Sequence, residues 1–321
     1  MNHNEGAAPV IDVRNIHKRF GNKEVVAGVS LRVARGEIFG FLGPNGSGKT
    51  TSIRMMCGLL TPDAGSGTCL GYDIRRDAAA IKRRVGYMTQ RFSFWDDLTI
   101  RENLDFTARV YQMQDRRGAV DRALSDLGLS SRSGQLTGTL SGGWKQRLAL
   151  AACMLHQPRV LLLDEPTAGV DPNARRQFWD ELHRLAAEGV SVLVSTHYMD
   201  EAERCHKLAY IAYGRLLAQG TAAEVVAAQG LTTYFVRGPD VQALSQRLQT
   251  MPGVDQTVAF GETLHVTGKD APALERSLRA ATAAGGYAVE PAPTGLEDVF
   301  IHLVQRAADN WGNGKPMAAA A

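Results

Sequence analysis

The sequence predicts an α/β protein: a core built on a parallel β-sheet with antiparallel edge strands, carrying a helical subdomain and followed by a small α+β domain. Three observations point there. The apolar run Ile38-Phe39-Gly40-Phe41-Leu42 passes directly into the glycine-rich segment Gly43-Pro44-Asn45-Gly46-Ser47-Gly48-Lys49-Thr50, and a helical opening over residues 51–56 follows it. Residues 160–163 and 190–194 are leucine-rich or β-branched runs of the kind that fill a sheet covered on both faces. Beyond about residue 220 the order of elements changes, and the expected class changes with it.

Taken in order, residues 10–20 and 24–33 alternate apolar with charged side chains around Gly21-Asn22, which predicts an antiparallel pair ahead of the strand at 38–42. Residues 94–128 turn to a helical period, with helices expected over 103–111 and 119–127 in a subdomain running from about 92 to 155. A helix over 173–188 joins the runs at 160–163 and 190–194, the connection a parallel sheet needs. The last third reads as strand 233–236, helix 240–250, two strands across 257–267 turning at Gly261, helix 272–284, strand 287–289 and helix 296–306. That βαββαβ order with a trailing helix predicts a small ferredoxin-like domain over 221–308. Residues 309–321 are small or polar without a period and are expected to form a disordered tail.

Composition bounds the function. A chain of 321 residues with 44% hydrophobic content supports one large α/β domain and a smaller appendage. Its 36 basic and 33 acidic side chains leave a net +3 without a clustered basic stripe, which argues against nucleic acid as a partner. Cys57, Cys69, Cys153 and Cys205 show no C-x-x-C spacing and are expected to be inert reduced thiols, so sulfur implies no metal site. Residues 1–9 lack the apolar core of a signal peptide, and no apolar stretch approaches the roughly 18 residues of a membrane span. The chain is expected to be soluble by itself, with any bilayer-crossing part on another polypeptide.

The segment from Gly43 to Thr50 fits G-x-x-x-x-G-K-[ST] without substitution, in the strand-loop-helix setting that motif needs. Gly43, Gly46 and Gly48 let successive backbone N–H groups face one anion. Pro44, Asn45 and Ser47 complete the cradle, and Thr51 stands in the first turn of a helix whose N-terminus adds partial positive charge. Lys49 is expected to reach the β and γ phosphates of a nucleoside triphosphate, and the Thr50 hydroxyl to ligate Mg²⁺. These residues predict a P-loop NTPase core with a RecA-like sheet. Asp164-Glu165 end the run at 160–163, which places two carboxylates at the C-terminal edge of that sheet. Asp164 is expected to hold Mg²⁺, and Glu165 to polarise the attacking water, general-base work worth roughly 10²–10⁴-fold.

Leu140-Ser141-Gly142-Gly143-Trp144-Lys145-Gln146-Arg147 supplies a second helix start with a hydroxyl and bare backbone donors, hence a second anion site. At this point the chain resembles the nucleotide-binding subunit of ATP-binding cassette (ABC) transporters, whose signature begins Leu-Ser-Gly-Gly and ends Gln-Arg. The resemblance makes residues 1–220 the ATPase domain. It implies a head-to-tail homodimer in which the Lys49 loop of one chain and Ser141, Gly142 and Gly143 of the other sandwich ATP. It further implies that Gln90, after the strand at 85–88, senses Mg²⁺ and the γ-phosphate, and that His197 contacts the γ-phosphate. Asp171 falls on the loop that crosses the dimer interface, although Ala168-Gly169-Val170-Asp171 departs from the commoner Ser-Gly-Leu-Asp. Phe20 falls where the family stacks a Tyr on adenine, and reads almost equally as a core residue at a strand end. Trp144 departs from the commoner residue after Ser-Gly-Gly, either to pack on a partner subunit or simply to cover its helix.

The remainder, including Gly295-Leu296-Glu297-Asp298-Val299-Phe300, resembles the C-terminal extension of bacterial exporter ATPases of the drug- and polysaccharide-export type. That resemblance implies ATP hydrolysis coupled to export at the cytoplasmic face of the inner membrane, with membrane-spanning permease subunits as partners and a periplasmic adaptor as a further candidate. The aromatic cluster at 92–95 suits either a permease's coupling helix or core packing. An importer ATPase and a soluble non-transport ATPase are the alternatives. The soluble kind needs tandem cassettes or a long coiled coil, and this chain has one P-loop and a short helical insert. A P-loop kinase leaves Ser141-Gly142-Gly143 without a job.

Overall fold

The computed structural model describes residues 8–283 and 285–307. The expected tail at 309–321 lies outside them, as does the last residue of the helix expected over 272–284. At the start of the chain, β1 (Ile11–Phe20) and β2 (Lys23–Val33) pair antiparallel, as their alternation predicts. Next come β3 (Ile38–Leu42) and α1 (Lys49–Met56) on either side of the glycine loop, then β4 (Ala64–Cys69) and β5 (Tyr72–Asp73). The antiparallel pair is not the margin of the parallel sheet. It belongs to a separate four-stranded sheet of order β2-β1-β4-β5. Strand β4 escapes sequence reading because its glycines interrupt any alternation. They serve close packing, since a Cβ on Gly67 would stand 2.6 Å from the Asp12 carbonyl oxygen on β1.

The chain continues through α2 (Ala78–Lys82) and β6 (Val85–Met88), then through the subdomain helices α3 (Ile100–Val110), α4 (Arg116–Asp126) and α5 (Gly142–Met154). After them come β7 (Val160–Asp164), α6 (Pro172–Ala187), β8 (Ser191–Thr196), α7 (Met199–Ala202), β9 (Lys207–Ala212) and β10 (Arg215–Gly220). The main sheet has the order β10-β9-β3-β8-β7-β6, and the pairs β3–β8, β3–β9, β7–β8 and β6–β7 are all parallel. Both faces are covered. On β7, Leu161 and Leu163 join a core with the subdomain helices and α6, while Val160 and Leu162 join the core beneath α1 and the antiparallel sheet. This double burial, worth about 1.5–3 kcal/mol for each such side chain, is why the strands read as unbroken apolar runs.

Local signals set the helix starts. Thr99 and Glu102 form a capping box at α3, and Asp171 accepts from the Asn173 and Ala174 N–H groups ahead of Pro172 at α6. Within the subdomain, fully buried Asn103 donates to the Trp95 carbonyl (3.1 Å) and the Thr137 hydroxyl (2.9 Å) and accepts from the Trp95 N–H (3.0 Å), tying the aromatic segment to α3.

The chain divides into two compact units after Leu216, within β10, and the boundary expected at 220 falls at that strand's end. The second unit holds α8 (Ala222–Ala227), β11 (Thr232–Arg237), α9 (Val241–Leu248), β12 (Gln256–Phe260), β13 (Thr263–Gly268), α10 (Ala271–Thr282), β14 (Ala288–Ala292) and α11 (Leu296–Arg306). Its sheet is antiparallel throughout, in the order β12-β13-β11-β14, the ferredoxin-like arrangement. Tyr234, Val236, Leu264 and Val266 pack against Leu244, Leu248, Leu274 and Leu278 to form its core.

All four cysteines are free thiols, and burial pushes Cys57, Cys69 and Cys153 up to about 12 and raises Cys205 as well. A thiol whose pKa lies that high stays protonated, hence unreactive, at ordinary pH. The native protein at pH 8 is expected to react slowly with a chromogenic thiol reagent, and all four thiols to react at once in guanidinium. Rapid stoichiometric labelling of the native chain would contradict this burial.

Candidate functional site

Sheet register sets the geometry. Leu42 pairs with Thr196, Asp164 with Ser195, and Met88 with Leu163, so four chain segments leave the sheet along one edge. Leu42 leads into the glycine loop, Met88 towards Gln90, Asp164 into Glu165, and Thr196 into His197.

Close approach dictates the loop. A Cβ on Gly43 would stand 2.0 Å from the Ile211 carbonyl oxygen, and one on Gly48, at φ 104°, 2.7 Å from that of Val25. Only glycine permits this path. Lys49, 4% exposed, lies folded back into the loop: Nζ donates to the carbonyls of Gly43 (2.7 Å) and Pro44 (3.1 Å) and pairs with Glu165 Oε1 at 3.3 Å. Burial lowers its pKa, and the charges of Glu165 and Asp164 oppose that shift. Within the same loop the Ser47 hydroxyl is buried without a partner, a polar group that awaits one.

Two hydroxyls converge on one carboxylate oxygen. Thr50 Oγ1 donates to Asp164 Oδ1 at 3.0 Å, and Ser195 Oγ donates to the same atom at 2.8 Å. Ser195 Oγ also accepts from the Glu165 N–H at 3.0 Å, so one serine fixes both acids. Glu165 has a left-handed backbone, φ 48°, a conformation that costs on the order of 1–3 kcal/mol and concentrates at functional positions. Its carboxylate gathers three groups: Lys49 on Oε1, Gln90 Nε2 at 2.9 Å on Oε2, and His197 Nδ1 at 3.5 Å from Oε2. The last separation is too long for a strong hydrogen bond.

A second buried acid, Glu201, escapes sequence reasoning. It is 1% exposed and accepts from the hydroxyls of Thr167 (2.5 Å) and Thr196 (2.6 Å), with Arg175 Nε at 3.6 Å. Thr167 lies just past Glu165 and Thr196 just before His197, so one carboxylate pins both segments. Arg175 in turn covers the Tyr198 ring at 4.3 Å, and that ring stands 4.1 Å from His197. Nothing periodic in Tyr198-Met199-Asp200-Glu201 marks the last residue; only the fold buries it.

The signature forms a separate group. Ser141 takes the N-cap position of α5 without a side-chain capping bond, so its hydroxyl is not spent locally, and it is exposed. A Cβ on Gly143 would stand 2.6 Å from Ala174 Cβ, so this glycine lets the start of α5 pack on the start of α6. Asp171, which the resemblance places across a dimer interface, has its Oδ1 engaged in capping α6. Among the described residues, no hydrogen bond or ion pair joins Ser141, Gly142 or Gly143 to the phosphate loop.

Exposure decides the residues left open. Phe20 is 52% exposed at the end of β1, which removes the core reading and leaves a ring face for stacking. Trp144 is held between Arg132 and Arg147, whose guanidinium carbons stand 4.6 and 5.1 Å from its ring centre, and packs on its own subdomain. The aromatic cluster divides: Phe92 and Phe94 pack against the core, while Trp95 and Phe106 are exposed and meet edge to face at 4.3 Å.

A glycine loop after β3, two acids at the end of β7, two strands along the same sheet, and a Ser-Gly-Gly helix start now stand in one unit. Residues 26–168 match the ABC transporter family. Over 300 residues the chain is 41% identical to the Nod factor export ATP-binding protein I of Paraburkholderia xenovorans, covering 92% of this chain and 97% of that protein. This chain belongs to the ATP-binding proteins of ABC transporters. A probable multidrug ABC transporter ATP-binding protein of Escherichia coli is 44% identical over 214 residues, or 66% of this chain, and the chain spans 37% of that relative's length. Among solved structures, an ATP-binding subunit of an ABC transporter superposes with a TM-score of 0.62 at 27% identity, covering 69% of this chain and 93% of that one. An ABC cassette in its ADP conformation gives 0.60 at 25% identity, covering 68% and 93%.

Within this ABC protein, Glu201→Ala removes the acceptor of two buried hydroxyls, and each costs about 1–3 kcal/mol if left unmet. The variant is expected to melt several degrees lower and to turn over ATP more slowly, with nucleotide affinity little changed. Glu201→Gln, which keeps one acceptor oxygen, is expected to recover part of the loss. An unchanged melting temperature in the alanine variant would contradict the role given to Glu201.

Proposed function

We propose that this chain hydrolyses ATP to power an ABC export system, working as a nucleotide-sandwich dimer on separate permease subunits at the cytoplasmic face of the inner membrane. The observation that carries the reading is the set of groups around Glu165. With Lys49 turned onto Glu165 and onto its own loop carbonyls, Glu165 Oε1 is occupied by the ammonium. Phosphates entering the loop offer Lys49 a stronger partner. Once the ammonium turns to them, Glu165 keeps Gln90 and His197 as neighbours but loses its charge partner, and it becomes able to take a proton from water. His197, which follows the adjoining strand, is assigned the contact with the γ-phosphate. Gly43, Pro44, Asn45, Gly46, Ser47, Gly48, Thr50 and Thr51 cradle the phosphates, with the unpartnered Ser47 hydroxyl as one donor. Phe20 takes the adenine on its exposed face.

Thr50, Asp164 and Gln90 fit Mg²⁺. They present a hydroxyl, a carboxylate and, with the Gln90 amide nitrogen turned to Glu165, an amide oxygen. Among the described residues no group of three or more His, Cys, Asp or Glu is placed to hold a metal. A single carboxylate sharing the ion with substrate phosphates is the usual Mg²⁺ arrangement. Bound there, the ion neutralises charge on the phosphates.

Ser141, Gly142 and Gly143 are assigned to the γ-phosphate held by a second copy, since Ser141 and Gly142 are exposed at the start of α5, and Asp171 rigidifies the loop that meets that copy. Trp95 and Phe106 offer the apolar contact for a permease segment. Among the described residues no helix is long and apolar enough to cross a membrane. Export is favoured over import and over a soluble role by the relatives, which are a Nod factor export protein and a probable multidrug transporter protein.

Lys49→Ala is expected to lower ATP turnover by roughly 10²-fold or more, with nucleotide binding weakened in the same measurement series. EDTA is expected to stop turnover, and excess Mg²⁺ to restore it. Undiminished turnover in EDTA would remove the ion from this account, and near-normal turnover by Lys49→Ala would remove the loop.

A further inference from the structure

At the opposite edge of the parallel sheet lies a cleft of about 700 Å³, within the size range of small-molecule sites, to which no step of ATP hydrolysis assigns a role. Arg84 immediately precedes β6 and Arg159 immediately precedes β7, so the cleft sits at the feet of the strands whose tips lead to Gln90 and end in Asp164. At about 3.3 Å per residue, Arg159 is roughly 16 Å from Asp164, so this is not a lobe of the nucleotide site.

The lining is strongly one-signed. Arg35, Arg83, Arg84 and Arg159 face one volume with a single carboxylate, Asp12, which leaves a net charge of +3. That carboxylate is already engaged by Arg14 at 3.0 Å and Arg32 at 3.7 Å, outside the cleft's own set. Arg35, Arg83 and Arg159 have no ion-pair partner among the described residues. Burial lowers the pKa of His156 on the same wall and keeps its ring neutral, so it does not add to the charge. Guanidiniums that line one concavity with little opposing charge focus a positive field into it, which favours an anion.

We propose that this cleft binds a small phosphate-bearing anion of the pyrophosphate class. The four arginines that line the volume come from three separate chain segments, which suits a tetrahedral oxyanion with several oxygens to share among them better than a single planar carboxylate. One face of the Tyr72 ring is covered by Arg84 at 4.6 Å, so charge dominates the lining.

The test is titration calorimetry of pyrophosphate into the full-length Lys49→Ala protein, which weakens the phosphate loop as a competing site. One equivalent is expected to bind, and Arg83→Ala/Arg159→Ala in the same background is expected to weaken it at least about tenfold, the loss of one or two charged hydrogen bonds. Both arginines are exposed, and the melting temperature in phosphate-free buffer is expected to be the same in the two proteins, which separates lost binding from lost folding. Arg35→Ala supplies an independent arm with the same expected direction. No binding in Lys49→Ala, or equal binding after the arginine substitutions, would overturn the site. Citrate binding more tightly than pyrophosphate would overturn the phosphate class.

Discussion

Two charges that neither water nor sequence distance would bring together, Lys49 and Glu165, are buried side by side at 3.3 Å, and the nucleotide edge is arranged around that pair. A lone buried ammonium or carboxylate is costly, so each requires a partner. In this structure they supply one another, with the Gly43 and Pro44 carbonyls taking the remaining ammonium protons and Gln90 bonding the far carboxylate oxygen. A triphosphate changes the balance by offering the lysine more negative charge than a single carboxylate can. Under the proposed function, the exchange that admits substrate also frees Glu165 to act on water, so binding and activation are coupled through one side chain.

That coupling depends on strand register. Since β3, β8, β7 and β6 run parallel and in step, the residues that follow each strand meet at one edge, and a slip of one residue would carry the acids to the other face. Ser195 and Glu201 hold the edge in place from behind. The first bonds both Asp164 and the Glu165 backbone, and the second pins Thr167 and Thr196. The strain of a left-handed glutamate persists because the surrounding bonds over-determine it.

Much of this was legible in the chain, and the rest was not for physical reasons. The loop from Gly43 to Thr50 is readable because close approach to Ile211 and Val25 leaves only glycine possible at fixed positions. Asp164 and Glu165 are readable because a strand buried on both faces must be apolar until it ends. By contrast, Ser195 looks like any strand serine and Glu201 like any surface glutamate, and their roles arise from contacts 31 and 34 residues away in sequence. The antiparallel strands were anticipated, but their separate sheet follows from pairing with the glycine-broken β4, which carries no strand signal. Phe20 and Trp144 needed solvent exposure to be decided. The four arginines of the basic cleft lie on three segments, and each alone reads as an ordinary solvated side chain.

The most direct measurement of the central claim is light scattering coupled to size exclusion, with parallel turnover assays, on Glu165→Gln in the presence of ATP and Mg²⁺. The glutamine keeps the shape of the side chain but neither pairs with Lys49 by charge nor accepts a proton from water. This variant is expected to bind ATP, to hydrolyse almost none of it, and to accumulate as a dimer only when ATP is present. Turnover at the wild-type rate, or a chain that stays monomeric with ATP bound, would contradict the claim.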